Sequence, residues 1–353
     1  MRRPRGCATK FVDWRVKTMR NYAIHGGFTG LAASTRVRLA RNVKGYPYRN
    51  LTPGQLSEIA NKVWDALSAA PAVANGLHMT DVRAGSQEAM QLIEKHMISP
   101  EFAKKGGKLI ASDSGDIAIM LGEEDHIRLQ VMGTGLCPKE CMETAKRIAD
   151  LIENRVPFDY SDQLGYLTAC PSNLGTGLRV SVMLHLPVLT QSGAAERLVG
   201  WAARQGFTVR GAYGEGTRAA GGFYQISNQI TLGLSEDAIV DKLITAATEV
   251  IDQEKKAREQ LRSQNEDALF DRIARSAGVL RHARLLPSQE AVTCISDVLI
   301  GLQMGYLTGV SPEELIETEQ MTQPALIAGA PHERDRVRAQ KLREVTENLR
   351  IQG

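Results

Sequence analysis

Between Leu178 and Leu186 polar and apolar residues alternate, broken only at Met183. Val180, Val182, Leu184 and Leu186 fall on one side, and Arg179, Ser181, Met183 and His185 on the other. A period of two marks a strand with one face in a core. The approach to it is turn chemistry, with Pro171, Ser172, Asn173, Gly175 and Gly177 inside seven residues. Glycines let a backbone come close to a ligand. An arginine at the first polar-face position offers a rigid fork of donors suited to phosphate or carboxylate.

The pattern recurs. Ser34–Ala40 reads STRVRLA, with Thr35, Val37 and Leu39 opposed to Arg36 and Arg38. Lys108–Ala111, Asp116–Leu121 and His126–Met132 read as three strands joined by the hairpin-like SDSG and GEED. In the last of them Ile127, Leu129 and Val131 oppose His126, Arg128, Gln130 and Met132. Phe207–Tyr213 reads as a further strand carrying Arg210, and Phe223–Leu232 as a strand pair. Helical periodicity marks Thr52 to Leu67, about Gln87–His96, Lys139–Val156, Ala194–Gln205 and a long helix from Ser235; one short helix around Thr9–Asn21 is the most that the start allows. From Glu254 onward the chain is charged, helical and poor in aromatics, with no strand expected. The organisation expected is an extension over 1–30, a catalytic domain over 31–253 and a helical C-terminal domain over 254–353.

Five arginines, Arg36, Arg38, Arg128, Arg179 and Arg210, thus fall on the polar faces of four strands, where no lysine occurs. A solvated sheet face ordinarily mixes Lys, Thr, Glu and Gln. If the strands share one antiparallel sheet, the five guanidinium groups converge, which is costly without a multiply charged anion between them. A triphosphate suits that place, because arginine binds phosphate oxygens bidentately and keeps its charge. The competing reading is a set of unconnected surface arginines. The familiar nucleotide motifs are missing: there is no GxxxxGK[ST], no HRD or DFG, and Gly175-Thr176-Gly177 is not GxGxxG.

Charge and cysteines narrow the field. The 353 residues carry 43 basic and 40 acidic side chains, a formal +3, too small an excess for a dedicated nucleic-acid binder. Cys7, Cys137, Cys141, Cys170 and Cys294 include no CxxC pair, and nothing completes a zinc site around Cys137 and Cys141. Reduced thiols in a cytoplasmic protein without a membrane span are therefore expected.

Two acidic stretches flank the arginine strands: Glu123-Glu124-Asp125 before Arg128, and Glu215 after Arg210. Turn carboxylates are usually just solvated. Here they also suit a cationic acceptor facing a terminal phosphate. A guanidinium, with a pKa above about 12, is a poor nucleophile. Two carboxylates can clamp it, aim one nitrogen at phosphorus and take its proton.

SxRVR (Ser34–Arg38), EEDHIR (Glu123–Arg128), CPSNLGTGLR (Cys170–Arg179) and RGxYGEG (Arg210–Gly216) together resemble the ATP:guanido phosphotransferases, the family of creatine and arginine kinases. The four motifs come in order across some two hundred residues. Within that family the chain is most similar to the bacterial protein-arginine kinases. Only 33 residues precede Ser34, which leaves out the all-helical N-terminal domain of the metabolic enzymes. RGAYGEG replaces the glycine-rich form typical of creatine kinases, and Arg334-Asp335-Arg336-Val337-Arg338-Ala339 matches an RDxxRA phosphoarginine-binding motif.

The resemblance implies an α+β fold, a large antiparallel sheet flanked by helices with a helical C-terminal domain. It implies ATP as phosphoryl donor, with Mg2+ held mainly by phosphate and water. The nucleotide site would comprise Ser34, Thr35, Arg36, Val37, Arg38, His96, Arg128, Arg179, Val180, Ser181, Val182, Met183, Arg210, Gly211, Ala212, Tyr213, Gly214 and Glu215. Glu124 and Glu215 would be the catalytic carboxylates, and Arg334 to Ala339 an allosteric phosphoarginine site. Cys170 corresponds to the family's reactive cysteine and would be a redox-sensitive thiol. Val180 stands where the family usually has alanine. Expected partners are protein substrates with exposed arginines, among them a stress-response repressor, together with an activator protein, protease–chaperone machinery marking substrates for regulated proteolysis, and a second copy in a homodimer. Neither membrane nor direct nucleic-acid binding is expected. The alternatives are a kinase for a free small guanidino metabolite and a non-enzymatic phosphoarginine-binding adaptor.

Overall fold

The computed structural model describes residue 24, residues 31–211 and residues 219–352. Their centre is an eight-stranded sheet. It takes in β1 (Ala32–Arg41), β2 (Leu77–Val82), β3 (Gly107–Ser112), β4 (Ile117–Leu121) and β5 (Ile127–Thr134). A small hairpin, β6 (Tyr160–Ser161) and β7 (Gly165–Tyr166), lies apart, and the sheet resumes with β8 (Leu178–His185), β9 (Phe207–Gly211) and β10 (Phe223–Asn228). The order is β2-β3-β4-β5-β1-β8-β10-β9, with every neighbouring pair antiparallel. β1 therefore runs through the middle, between β5 and β8.

Alternation gives this sheet two unlike faces. Val37, Leu39, Leu129, Val131, Val180, Val182 and Ile226 are buried on one. They form the main core with apolar residues of α1 (Pro53–Ser68), α5 (Pro138–Glu153) and α8 (Glu236–Gln264). Helix α1 starts where Thr52 accepts the Gln55 N–H and Pro53 supplies a preset φ, a capping box that needs no tertiary help. The opposite face carries the arginines and is covered only at its ends. At one end α3 (Gln87–Glu94) and α4 (Pro100–Lys105) seal Leu109, Ala118 and Met120 with Phe102 and Ala89. At the other end stands the helical C-terminal region.

That region comprises α9 (Glu266–His282), α10 (Ser288–Gln303), α11 (Pro312–Met321) and α12 (Pro331–Val345), preceded in the chain by α6 (Pro187–Gln191) and α7 (Ala194–Arg204); α2 (Pro71–Ala74) follows α1. Its core of Ile273, Leu280, Ile295, Leu299, Leu315 and Leu342 also takes in Ala33 and Phe223 from the sheet. The helices are thus seated on one end of the polar face. His185 at the end of β8 fixes the junction, its Nε2 2.8 Å from Ser296 Oγ of α10.

Several expectations need correction. Phe223–Leu232 is one strand that stops at Asn228, because the Asn228 side chain replaces the ladder: it accepts the Val180 N–H and donates to the carbonyls of Leu178 and Ile230. Strands do occur after Glu254, the two-residue pair β11 (Leu307–Thr308) and β12 (Arg350–Ile351), too short to show alternation. Strand β2 had no sequence signal, since LHMTDV has no regular alternation. Helix α8 runs unbroken to Gln264, and the Asn265 side chain caps α9. The helix expected around Thr9–Asn21 lies outside the described residues. Among the described residues no helix is long and apolar enough to cross a membrane.

Candidate active site

Strand register brings the arginines together. Arg38 of β1 pairs directly with Arg179 of β8 on one side and Gln130 of β5 on the other. Two residues along, Arg36 sits between Met132 and Ser181, and Ala40 faces Arg128. Arg210 of β9 reaches the same face through Gln225 of β10, which pairs with Met183. Period-two geometry puts all these side chains on one surface.

Their electrostatics confirm the crowding. Burial, then the charges of Arg36, Arg128 and Arg179, hold the Arg38 guanidinium well below the ordinary arginine range, against a smaller opposing pull from Glu123. Burial, Arg210 and Arg128 lower Arg179 likewise. The Arg38 Nε is buried without a hydrogen-bond partner. A buried donor in a field of like charges is a place built for an anion.

Each residue of EEDHIR has a separate task. Glu123, almost wholly buried at its side chain, takes Arg128 Nη1 on both oxygens at 2.5 Å and also accepts the Ser99 hydroxyl. Asp125 is buried and accepts from Asn42 Nδ2, the Ala169 N–H and Asn173 Nδ2, stitching this turn to the loop that carries Cys170. His126 Nδ1 accepts the Val43 N–H at 2.9 Å, so its proton is on Nε2, 2.8 Å from the Pro47 carbonyl. Burial lowers its pKa and keeps that neutral form. Only Glu124 is left exposed, on the rim of a hollow shared with Tyr48, Arg49 and Lys105.

The loop before β8 owes its path to two glycines. Gly175 has φ +104°, and a Cβ there would lie 2.5 Å from the Thr231 carbonyl oxygen. Gly177 has φ +58°, and its Cβ would lie 2.5 Å from the Ala40 oxygen. The first approach seats the loop on the segment after β10, the second beside β1, which carries Arg36 and Arg38. Cys170 is half-buried in that loop, its Sγ 3.0 Å from Ser172 Oγ.

The expected nucleotide residues divide by face. Ser34, Arg36, His96, Ser181, Met183 and Gly211 line a cavity of about 200 Å3 at the end of the arginine surface. Thr35, Val37, Val180 and Val182 point into the core; Thr35 Oγ1 donates to the Gly135 carbonyl and accepts the Cys137 N–H. They shape the strands and offer a ligand only backbone. His96 reaches the cavity from just past α3, with φ +55° and its carbonyl accepting from Gln130. Ala212, Tyr213, Gly214 and Glu215 lie outside the described residues.

The RDxxRA residues lie on α12. Arg338 and Ala339 are buried. Arg338 donates to the carbonyls of Thr322 and Leu286 and to Asp335. Arg334 and Asp335 are half-buried, Val337 likewise, and Arg336 is exposed. Four residues of the cavity wall carried no sequence signal: Ile295, Ile316, Glu319 and Gln320, from α10 and α11.

The family model of the ATP:guanido phosphotransferase C-terminal catalytic domain matches residues 56–257. The chain belongs to the ATP:guanido phosphotransferase family. A second model, the protein-arginine kinase McsB C-terminal domain, matches residues 266–352. The protein-arginine kinase of Desulforamulus reducens is 39% identical over 331 residues, covering 90% of this chain and 92% of that one. That of Moorella thermoacetica is 41% identical over 328 residues, 89% and 93%. Among solved structures, lombricine kinase superposes with a TM-score of 0.56 at 27% identity, over 67% of this chain and 70% of that one. As a member of that family the chain is an enzyme, an ATP:guanido phosphotransferase.

Proposed function

We propose that the protein is a protein-arginine kinase, transferring the γ-phosphate of ATP to guanidinium groups of arginine side chains in other proteins. The observation that carries it is the buried, like-charged cluster around Arg38, on which Glu123 also acts. Arg36, Arg38, Arg128, Arg179 and Arg210 hold the triphosphate and neutralise the charge spread over its oxygens as the phosphoryl group moves. Glu123 keeps Arg128 aimed. Glu124 and Glu215 clamp the incoming guanidinium, and the carboxylate nearest the attacking nitrogen takes its proton as the N–P bond forms and the bond to the ADP oxygen breaks. Magnesium would come with the nucleotide, held mainly by phosphate oxygens and water.

The two relatives named above, both protein-arginine kinases, support a protein over a free metabolite as acceptor. Cytoplasmic location, a homodimer, phosphoarginine recognition along Arg334 to Ala339, redox sensitivity at Cys170 and a role in stress-linked proteolysis belong to the same reading. Mass spectrometry under non-acidic conditions tests it, with ATP, magnesium and either an unfolded protein or free arginine. Phosphoarginine in the protein is the expected result. Label only on free arginine overturns the choice of acceptor.

A further inference from the structure

The cavity at the end of the arginine surface is built by both parts of the chain. Ala33, Ser34, Arg36, Met132, Ser181, Met183 and Gln225 come from the sheet, while Ile295, Ile316, Glu319 and Gln320 come from α10 and α11. The two groups fall in the two separate family matches, 56–257 (with β1 just before it) and 266–352. One ordered water needs only about 10–15 Å3 of such space, so roughly 200 Å3 has room for a ring system. Its chemistry is that of a base slot, with Met132, Met183, Ile295 and Ile316 as apolar walls and a few polar groups among them. It also lies in line with the phosphate seat. Arg36 is common to both, lining the cavity and pressing electrostatically on Arg38.

We propose that the C-terminal helical domain completes the nucleobase pocket of the kinase, with Glu319 and Gln320 reading the edge of the purine. Glu319 is buried at 6% exposure in a wall it shares with Arg36, His96, Gln225 and Gln320. One of its oxygens accepts from Gln323 Nε2. An ionised carboxylate has about four acceptor sites, so Glu319 can take a further donor. The exocyclic amino group of adenine is such a donor. The oxygen that guanine carries at the same position would meet the carboxylate acceptor to acceptor, so the pocket selects adenine over guanine. Ile316, one turn before Gln320 on α11, presses on the ring. On this account the domain matched by the second family model is part of the ATP site, and any movement of α11 changes nucleotide affinity.

The inference rests on the kinase reading, and one titration separates the two. Calorimetry of the full chain compares ATP, GTP and inorganic tripolyphosphate, which has the phosphates without the base. Tripolyphosphate reads the arginines alone. In Glu319→Gln and in Gln320→Ala, loss of one buried hydrogen bond should weaken ATP about tenfold. Tripolyphosphate should bind as in the parent, and the Glu319→Gln preference for ATP over GTP should collapse. Ile316→Trp, which fills the slot, should block ATP and spare tripolyphosphate, and that spared binding shows the variant folded. ATP affinity unchanged in all three variants, or ATP and tripolyphosphate weakened equally, overturns the shared pocket. Failure of the parent to bind either ligand overturns the triphosphate seat instead.

Discussion

Arg38 and Arg179 face each other directly across neighbouring antiparallel strands, two guanidinium groups at one register position. Like charges placed opposite on a sheet destabilise it. Both are pushed below the ordinary arginine range by burial and by their arginine neighbours. The apo fold tolerates this repulsion because the surrounding framework is firmly set: a main core spanning both sides of β1, and an EEDHIR turn tied down by Asp125 and His126.

Neighbouring glutamates should respond differently to the same substitution. Glu124 is exposed and, in the proposed mechanism, bears on chemistry alone, so Glu124→Gln should cut kcat by roughly 10²–10⁴, the range for a positioned general base, and leave Tm unchanged. Glu123→Gln breaks the contact with Arg128 and Ser99. It should lower both Tm and ATP affinity. Thermal melts beside steady-state kinetics check the pair, and identical behaviour of the two variants would contradict the division of labour.

His185 makes stability depend on pH. Burial first, then the charge of Arg258, depresses its folded pKa well below the ordinary histidine value. The unfolded chain therefore binds a proton that the folded one refuses, so stability is full above about pH 6.5 and falls as pH drops below it. His185→Gln should flatten that slope below pH 6.5 in urea titrations at several pH values. His126, also lowered by burial, contributes in the same direction and remains in the variant. An unchanged slope would remove His185 from the account.

Arg338 holds α11 in place. Its donors reach the carbonyl of Thr322, which caps α11, and that of Leu286 before α10. Arg338→Met leaves both carbonyls without this donor, at about 1–3 kcal/mol for each buried group so stranded. Tm should fall, and ATP affinity should fall with it because α11 carries Glu319 and Gln320 into the cavity. Calorimetry at a temperature where the variant is folded checks the second effect; ATP binding equal to the parent's would show that α11 is held by other contacts.

How far the sequence reveals this site depends on distance along the chain. Alternation at Arg36, Arg38, Arg128 and Arg179 was enough to assign their face, because period two leaves no freedom once one side is apolar. The four strands' adjacency was not legible: β1 lies between β5 and β8, pairings that depend on core packing. Nor could spacing separate Glu123 from Glu124, since Ser99 and Arg128 choose between them in three dimensions. Ile316, Glu319 and Gln320 sit on an ordinary amphipathic helix and gain meaning only where α11 meets the sheet.

The central claim, that the crowded guanidinium groups around Arg38 bind a triphosphate, is tested most directly by melting Arg38→Met with and without ATP. Relief of repulsion should make the variant without nucleotide more stable than the parent, by about 2–4 °C for roughly 1 kcal/mol in a domain of this size. The stabilisation that ATP gives the parent should vanish. A variant that melts below the parent and is still stabilised fully by ATP would contradict the account.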